Sequence, residues 1–388
     1  MINIYFFNEI TDIFSTVAIF LIGGFLIRLS VDFFKVTKAR ALGLYIWHSF
    51  FSFAYAINTL TNGSDAVFYY LNSLMVAREF ELGTVAIIHF TAIFTNTLGL
   101  SYLGCFTVFN IIGSMGLIAV DASLRHVTEN KTPFVKKLVL LTVLLPSMSF
   151  WTGAIGKDSI AYMSTGLLLW ASIDLKRQNV LFLFGFACMF LVRPHIALII
   201  IVAFVLSLLI TKTLSPFKRI FFIGTSLISM TLLIPFAIDF IGFKGDLSVE
   251  EAQDFISLRQ GYNIEGYGGG INISSMPFIL KIFTYIFRPL PYEAHSLLSF
   301  LSSIDNLILL MVFTLSLLSA AISKGKIFSL NDSKENRWFL LFFALGVMVI
   351  SSMTTSNLGI SVRQKWMFMP ILLYFMFLFI KVKWTKRI

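Results

Sequence analysis

Nine ionisable side chains fall on one expected face of a membrane, several of them right beside apolar runs: Asp65, Lys157, Asp158, Arg193, His195, Arg288, Glu293, Arg363 and Lys365. Three arginines among them sit in short polar turns. Arg193-Pro194-His195 interrupts the apolar stretch 182–210, Phe287-Arg288-Pro289 leads to Glu293, and Arg363-Gln364-Lys365 follows Asn357 and Gly359. A guanidinium is a planar fork of donors that grips a phosphate through parallel hydrogen bonds. Three such forks beside a membrane surface suit a diphosphate, whose charge needs paired donors in a low-dielectric setting. Gln364 belongs with this set. Lys157 and Asp158, in the Gly156-Lys157-Asp158-Ser159 turn, would orient a sugar or a phosphate oxygen. Asp65, His195 or Glu293 would take the proton of a sugar hydroxyl. Tyr262 and Tyr267 would stack on sugar rings.

Each group also has a plainer role. Basic residues beside a span serve as snorkelling anchors. Asp65 and Asp158 suit helix N-caps, Asp65 ahead of a helix over 66–76. Arg288 and Glu293 can pair structurally, and Arg193-Pro194-His195 can be a tight turn. Tyr262 and Tyr267 can simply carry their loop over the surface. What sets the basic turns apart is their shared side of the membrane, where cations are normally depleted.

That side follows from the elements. Soluble domains carry about 25% charged residues. This chain of 388 residues has 13% charged and 57% hydrophobic residues, with a mean hydropathy of +0.85. Apolar runs of membrane length recur from end to end, and the alternating segments of a membrane barrel are absent. The fold class expected is all-α: a polytopic transmembrane bundle of about 10–12 spans, forming one integral membrane domain over 1–388. The spans fall at 14–34, 41–60, 101–121, 138–155, 160–173, 179–192, 196–210, 220–241, 296–321, 338–353 and 366–380, with 83–98 interfacial or re-entrant. Most lysines and arginines then lie on the cytoplasmic side with the C-terminal tail, and the six tryptophans fall near span ends. The net charge of +10 marks those cytoplasmic loops rather than a nucleic-acid partner.

A loop and interfacial segment over 242–295 lies outside. Its 249–259 part reads as an amphipathic helix, and 261–275, rich in glycine, as mobile backbone suited to a lid. Asp305, inside a span, reads as a helix–helix hydrogen-bonding group rather than a proton relay. Cys105 and Cys188 read as buried free thiols. No Cys and His spacing suits a metal, and no cofactor is expected. The N-terminus lacks the basic region and cleavage site of a removable signal peptide.

Four motifs carry a resemblance: Phe150-Trp151-Thr152-Gly153 with Lys157-Asp158; Arg193-Pro194-His195; Phe287-Arg288-Pro289 with Glu293; and Asn357-Leu358-Gly359 with Arg363-Gln364. With the hydropathy pattern, they make the chain resemble the bacterial O-antigen and capsule repeat-unit polymerases (the Wzy type), within the wider GT-C-like polysaccharide-assembly membrane proteins. The resemblance implies an inner-membrane enzyme working on the periplasmic face. Its donors and acceptors would be undecaprenyl-diphosphate-linked oligosaccharides, and a chain-length regulator protein is a possible partner. Arg193, Arg288 and Arg363 would hold the leaving diphosphate in one pocket. Asp65 matches the first-loop acid of GT-C enzymes by position but has no second acid beside it. Rival readings are a GT-C transferase using a polyprenyl-phosphate sugar, an O-antigen ligase, and a flippase or transporter of lipid-linked sugars.

Overall fold

The computed structural model describes residues 5–7, 9–210, 215–242, 249–265, 269–322 and 335–380. The helices are α1 (Ile10–Leu29), α2 (Lys38–Asn62), α3 (Asp65–Leu74), α4 (Thr84–Ala92), α5 (Tyr102–Val127), α6 (Pro133–Val143), α7 (Pro146–Thr152), α8 (Lys157–Ile173), α9 (Asn179–Val192), α10 (Pro194–Ile210), α11 (Pro216–Ile241), α12 (Val249–Glu265), α13 (Phe278–Phe287), α14 (Leu297–Ile322), α15 (Arg337–Thr354), α16 (Leu358–Gln364) and α17 (Met369–Phe379). A π turn, Ile93–Thr97, extends α4, and single 3-10 turns cover Pro291–Glu293 and Lys365–Met367. Among the described residues there is no strand, only an isolated bridge between Gly270 and Asn357.

Six stretches are long and apolar enough to cross a membrane: Ile10–Leu29, Tyr102–Val127, Pro133–Thr152, Arg219–Ile238, Leu297–Ile322 and Arg337–Thr354. Five more apolar stretches are shorter: Thr84–Thr97, Asn179–Val192, Pro194–Ile210, Phe278–Phe287 and Met369–Phe379. The core is largely apolar, but large apolar side chains also cover the outside. Phe14, Leu21, Phe25 and Leu29 on α1 and Ile220, Leu232 and Phe236 on α11 are exposed. Ser52, Thr59, Thr107, Asn110 and Ser303 are fully buried. Small polar residues between helices and apolar ones outside is the arrangement that packs in lipid.

The chain divides into two compact units. The first comprises residues 1–122, 148–171 and 179–194, and the second comprises 123–147, 172–178 and 195–388. In the first unit, glycines bring helices together. A Cβ on Gly116 of α5 would lie 2.7 Å from Met163 Cα of α8, and one on Gly113 would lie 2.7 Å from His48 Cε1. That space admits a buried polar chain. The Ser49 hydroxyl donates to Tyr45 O (2.8 Å), so its oxygen accepts from Asn110 Nδ2 (2.7 Å). Asn110 Oδ1 then faces His48 Nδ1 at 2.7 Å, and His48 Nε2 meets Thr152 Oγ1 at 3.2 Å. Asn110 Oδ1 can only accept, so His48 Nδ1–H donates to it, while the Thr152 hydroxyl donates to Met148 O at 2.7 Å. At the other end of α2, the Arg40 guanidinium grips the fully buried Asp121 carboxylate, with Nε to Oδ2 at 2.9 Å and Nη2 to Oδ1 at 2.6 Å.

In the second unit, α17 packs on α14 and α15. Lys131 Nζ donates to the last carbonyls of α17, at Phe377, Leu378 (3.0 Å) and Ile380 (2.7 Å). A cation on those otherwise unpaired oxygens suits the negative end of the helix. The Glu335 carboxylate accepts from His126 Nε2 (3.0 Å), Arg337 Nε (2.8 Å) and the Tyr374 hydroxyl.

Three expectations need correction. The stretch 138–155 is not one helix: it breaks at Leu144–Leu145 between α6 and α7, because Pro146 bars helical geometry just before it. The amphipathic helix does not stop at residue 259; α12 continues through Gly261 to Glu265, so 261–265 is not irregular backbone. Asp65 is not a cap. Ser64 is the N-cap of α3, its hydroxyl accepting from Ala66 N–H at 3.1 Å, and Asp65 is the first helical residue.

Candidate functional site

The predicted site residues fall into two clusters, one in each unit. In the first unit the cluster is built at the start of α8. Lys157 and Asp158 form its first turn, where Asp158 suits the positive helix end. Gly156 precedes them at φ +155, with the Tyr69 ring of α3 against it. Arg193 ends α9, and Pro194 opens α10 at the position where a missing N–H costs nothing. The Arg193 Nη2 donates to Asp158 Oδ1 at 2.5 Å, with the residues 8% and 7% exposed. The pair is therefore nearly stripped of water, and separating it would strand a charge. Lys157 Nζ donates to Thr84 Oγ1 at 3.0 Å, at the first residue of α4. The Gly83 amide just before it donates to Leu191 O at 2.8 Å, tying the start of α4 to the end of α9. Asp65 stands exposed at the first turn of α3, one turn from Tyr69.

One donor in this cluster is left over. Arg193 Nε is buried and has no hydrogen-bond partner. A buried guanidinium N–H without an acceptor is costly, so it demands an explanation.

In the second unit the cluster surrounds the turn after α13. Arg288 Nε donates to Glu293 Oε1 (2.9 Å) and Oε2 (3.1 Å), Nη2 also donates to Oε1, and the Leu290 amide donates to Oε2 at 2.8 Å. Burial alone would raise the Glu293 carboxyl, but the Arg288 guanidinium and the Leu290 amide outweigh it and hold it below the usual carboxylate range. Asn306 of α14 secures the same turn, its Nδ2 donating to Pro289 O at 2.9 Å. Its Oδ1 accepts from Lys365 Nζ, which also reaches Ile286 O at 3.4 Å. Lys365 is fully buried, with its ammonium 5.5 Å from the Trp366 ring centroid. The neighbouring Asp305 accepts from the Ser147 amide at 2.6 Å, just past the break between α6 and α7.

Arg363 and Gln364 are half-buried in the last turn of α16. Asn357 caps that helix, its Oδ1 accepting from Gly359 N (2.9 Å) and Ile360 N (3.2 Å). The segment that includes α12 is tied to this turn. Gln260 of α12 donates to Met353 O (2.7 Å) and accepts at its carbonyl from Ser356 Oγ (2.5 Å), while Ile271 N donates to Ser356 O (2.7 Å) and Leu358 N to Gly269 O (3.0 Å). Tyr262 is exposed on α12, and Tyr267 lies outside the described residues. His195 is half-buried in the first turn of α10.

Thus Lys157, Asp158 and Arg193 meet, with Asp65 on a helix packed beside them. Arg288, Glu293 and Lys365 meet around Asn306. Arg193 belongs to the first unit and Arg288 and Arg363 to the second. Sequence reading missed Asn306, Thr84 and the burial of Lys365. Only the placement of Lys365 directly before an apolar run could have signalled it. Comparison of the chain with family models, with curated proteins and with solved structures finds no match in any of the three.

Proposed function

We propose that the protein is a membrane-embedded polymerase of lipid-linked oligosaccharides, GT-C-like in architecture, with its site on the periplasmic face of the inner membrane. The observation that carries this reading is the buried Nε of Arg193, which has no hydrogen-bond partner among the described residues, with Lys157 next in sequence to its Asp158 partner. It suits an anionic phosphate oxygen in a water-poor setting, where such a donor acts most strongly. A polymerase handles two polyprenyl diphosphates, the donor's and the acceptor's. Arg193, with Lys157 next to its Asp158 partner, suits the phosphate oxygens of one of them.

In the reaction, a hydroxyl of the acceptor sugar attacks the anomeric carbon of the donor. The bond from that carbon to the phosphate oxygen breaks, and polyprenyl diphosphate leaves with the electron pair. Arg193 stabilises the charge growing on the leaving oxygen. Asp65, exposed in the first turn of α3, accepts the hydroxyl proton. Asp158 holds the Arg193 fork in place, and Glu293, with both oxygens engaged, does the same for Arg288.

The test separates function from folding. Arg193→Gln alone strands the Asp158 charge, so stability falls by about 3–5 kcal/mol. The double variant Arg193→Gln, Asp158→Asn removes that charge and folds at near wild-type levels. In cells that make the polysaccharide, the double variant leaves single-repeat products in place of a ladder. A normal ladder from a well-expressed double variant would overturn the assignment. If His195→Gln abolished the ladder and Asp65→Asn did not, the base would be His195.

A further inference from the structure

At the C-terminal end of α1, lined by none of the residues of either cluster, the first unit has a lateral groove. Its volume is about 360 Å³, the space of roughly a dozen water-sized groups. Leu29 and Phe33 form one wall and Leu181 and Phe184 of α9 the other, over a floor that includes Met115 and Met163. The floor is closed because α5 and α8 touch through glycine: a Cβ on Gly166 would lie 2.6 Å from the Gly116 carbonyl oxygen. Ser30 is the only polar residue lining the groove, and its hydroxyl already donates to Ile27 O at 2.8 Å. An occupant therefore meets hydrocarbon.

The chain at the groove's end carries charge. Arg28, Lys35 and Lys38 are exposed there, against a single exposed acid, Asp32. Lys35 stands in an unusual conformation. After α1 the chain turns through a paired hydrogen-bond motif, Val36 N to Val31 O (2.9 Å) and Lys35 N to Asp32 O (3.3 Å). This motif puts its penultimate residue in the left-handed region, where glycine is usual. Lys35 occupies it at φ +52, and among the described residues it is the only non-glycine with positive φ. A lysine kept where glycine is easier points to a use for its charge.

We propose that this groove binds one acyl chain of an anionic phospholipid, with its phosphate held by Lys35, Lys38 and Arg28. The site is separate from the sugar-transfer reaction and stands whether or not that reading holds. Its role is to select a lipid from the surrounding leaflet.

The test uses the full-length protein in phosphatidylcholine vesicles. Phe33→Trp places a reporter in the groove, and Phe221→Trp, on an exposed face of α11, reports on bulk lipid. Quenching by lipids brominated on their acyl chains is read as the difference from the parent protein. Brominated phosphatidylglycerol quenches the Phe33→Trp signal at about fivefold lower mole fraction than brominated phosphatidylcholine, as a basic cluster near an anionic headgroup predicts. The Phe221→Trp signal shows no such preference. Adding Lys35→Gly to Phe33→Trp removes the preference while the melting temperature holds or rises, since glycine relieves the backbone. Equal quenching by both lipids at Phe33→Trp would overturn the proposal. So would displacement of the brominated lipid by a polyprenyl diphosphate but not by plain phosphatidylglycerol.

Discussion

Arg193 and Lys365 are both cations held out of water, and they call for different experiments. Arg193 is bound to a carboxylate, so its removal harms the fold unless Asp158 is changed with it. Lys365 donates to an amide and a carbonyl, with no carboxylate bonded to it among the described residues. Removing it leaves Asn306 Oδ1 and Ile286 O without that donor and the buried Asp305 without a nearby positive charge. Lys365→Met is therefore expected to melt at a lower temperature, while polymerisation per folded molecule falls about tenfold or more, as befits a positioning residue. A variant equally active per folded molecule would assign Lys365 no role in the reaction.

Glu335 governs a different property. Burial alone would raise its carboxyl, but the His126, Arg337 and Tyr374 donors pull it down to about 2. A carboxylate held low in the folded state stabilises it above the unfolded value of about 4.3 and loses that contribution as pH falls through the folded value. The contribution is on the order of 3 kcal/mol. Melting temperature should therefore drop between about pH 4.5 and 2, and Glu335→Gln should flatten that part of the profile.

At the scale of elements, glycine sets how closely helices approach. Gly116→Ala would press a methyl against Met163 Cα, where only movement of α8 makes room. Overpacking of this kind costs about 1–3 kcal/mol. Thermal unfolding in detergent should show the loss for Gly116→Ala but not for Gly43→Ala, since no atom lies within 4 Å of a Cβ at Gly43.

The same scale shows what sequence could and could not reveal. Apolar runs located most helices, because hydropathy and length decide whether a segment is helical in lipid. The break at Pro146 was legible in principle, since proline restricts the residue before it. The extension of α12 through Gly261 was not, because glycine argues locally against helix and Gln260 holds that end through bonds to Met353 and Ser356, distant in sequence. The site was legible as residue types but not as pairs. Arg193 and Asp158 are 35 residues apart, and nothing in either neighbourhood names the other. Arg288 and Glu293 could be paired by eye, being five apart. Lys365 sits in a run that reads as a solvated turn, and only packing of α13 and α14 around it makes it buried. Nothing in the apolar neighbourhood of His48 signals its partners, Asn110 and Thr152, which are distant in sequence.

At the scale of the whole molecule, apolar side chains cover the outside of the helices as well as filling the core, as in a protein of the lipid phase. The proposal is that its two buried cations, Arg193 and Lys365, serve sites that meet anions at the edge of that phase. The central claim is that these anions are polyprenyl diphosphates and that one of them leaves as a sugar bond forms. The most direct measurement supplies the purified protein with a synthetic polyprenyl-diphosphate-linked oligosaccharide and follows products by mass spectrometry. The account predicts chains lengthened by whole repeats, with one polyprenyl diphosphate released for each bond formed, and no release from the Arg193→Gln, Asp158→Asn variant. Growth by single sugars from a polyprenyl monophosphate, or release at the same rate from that variant, would contradict it.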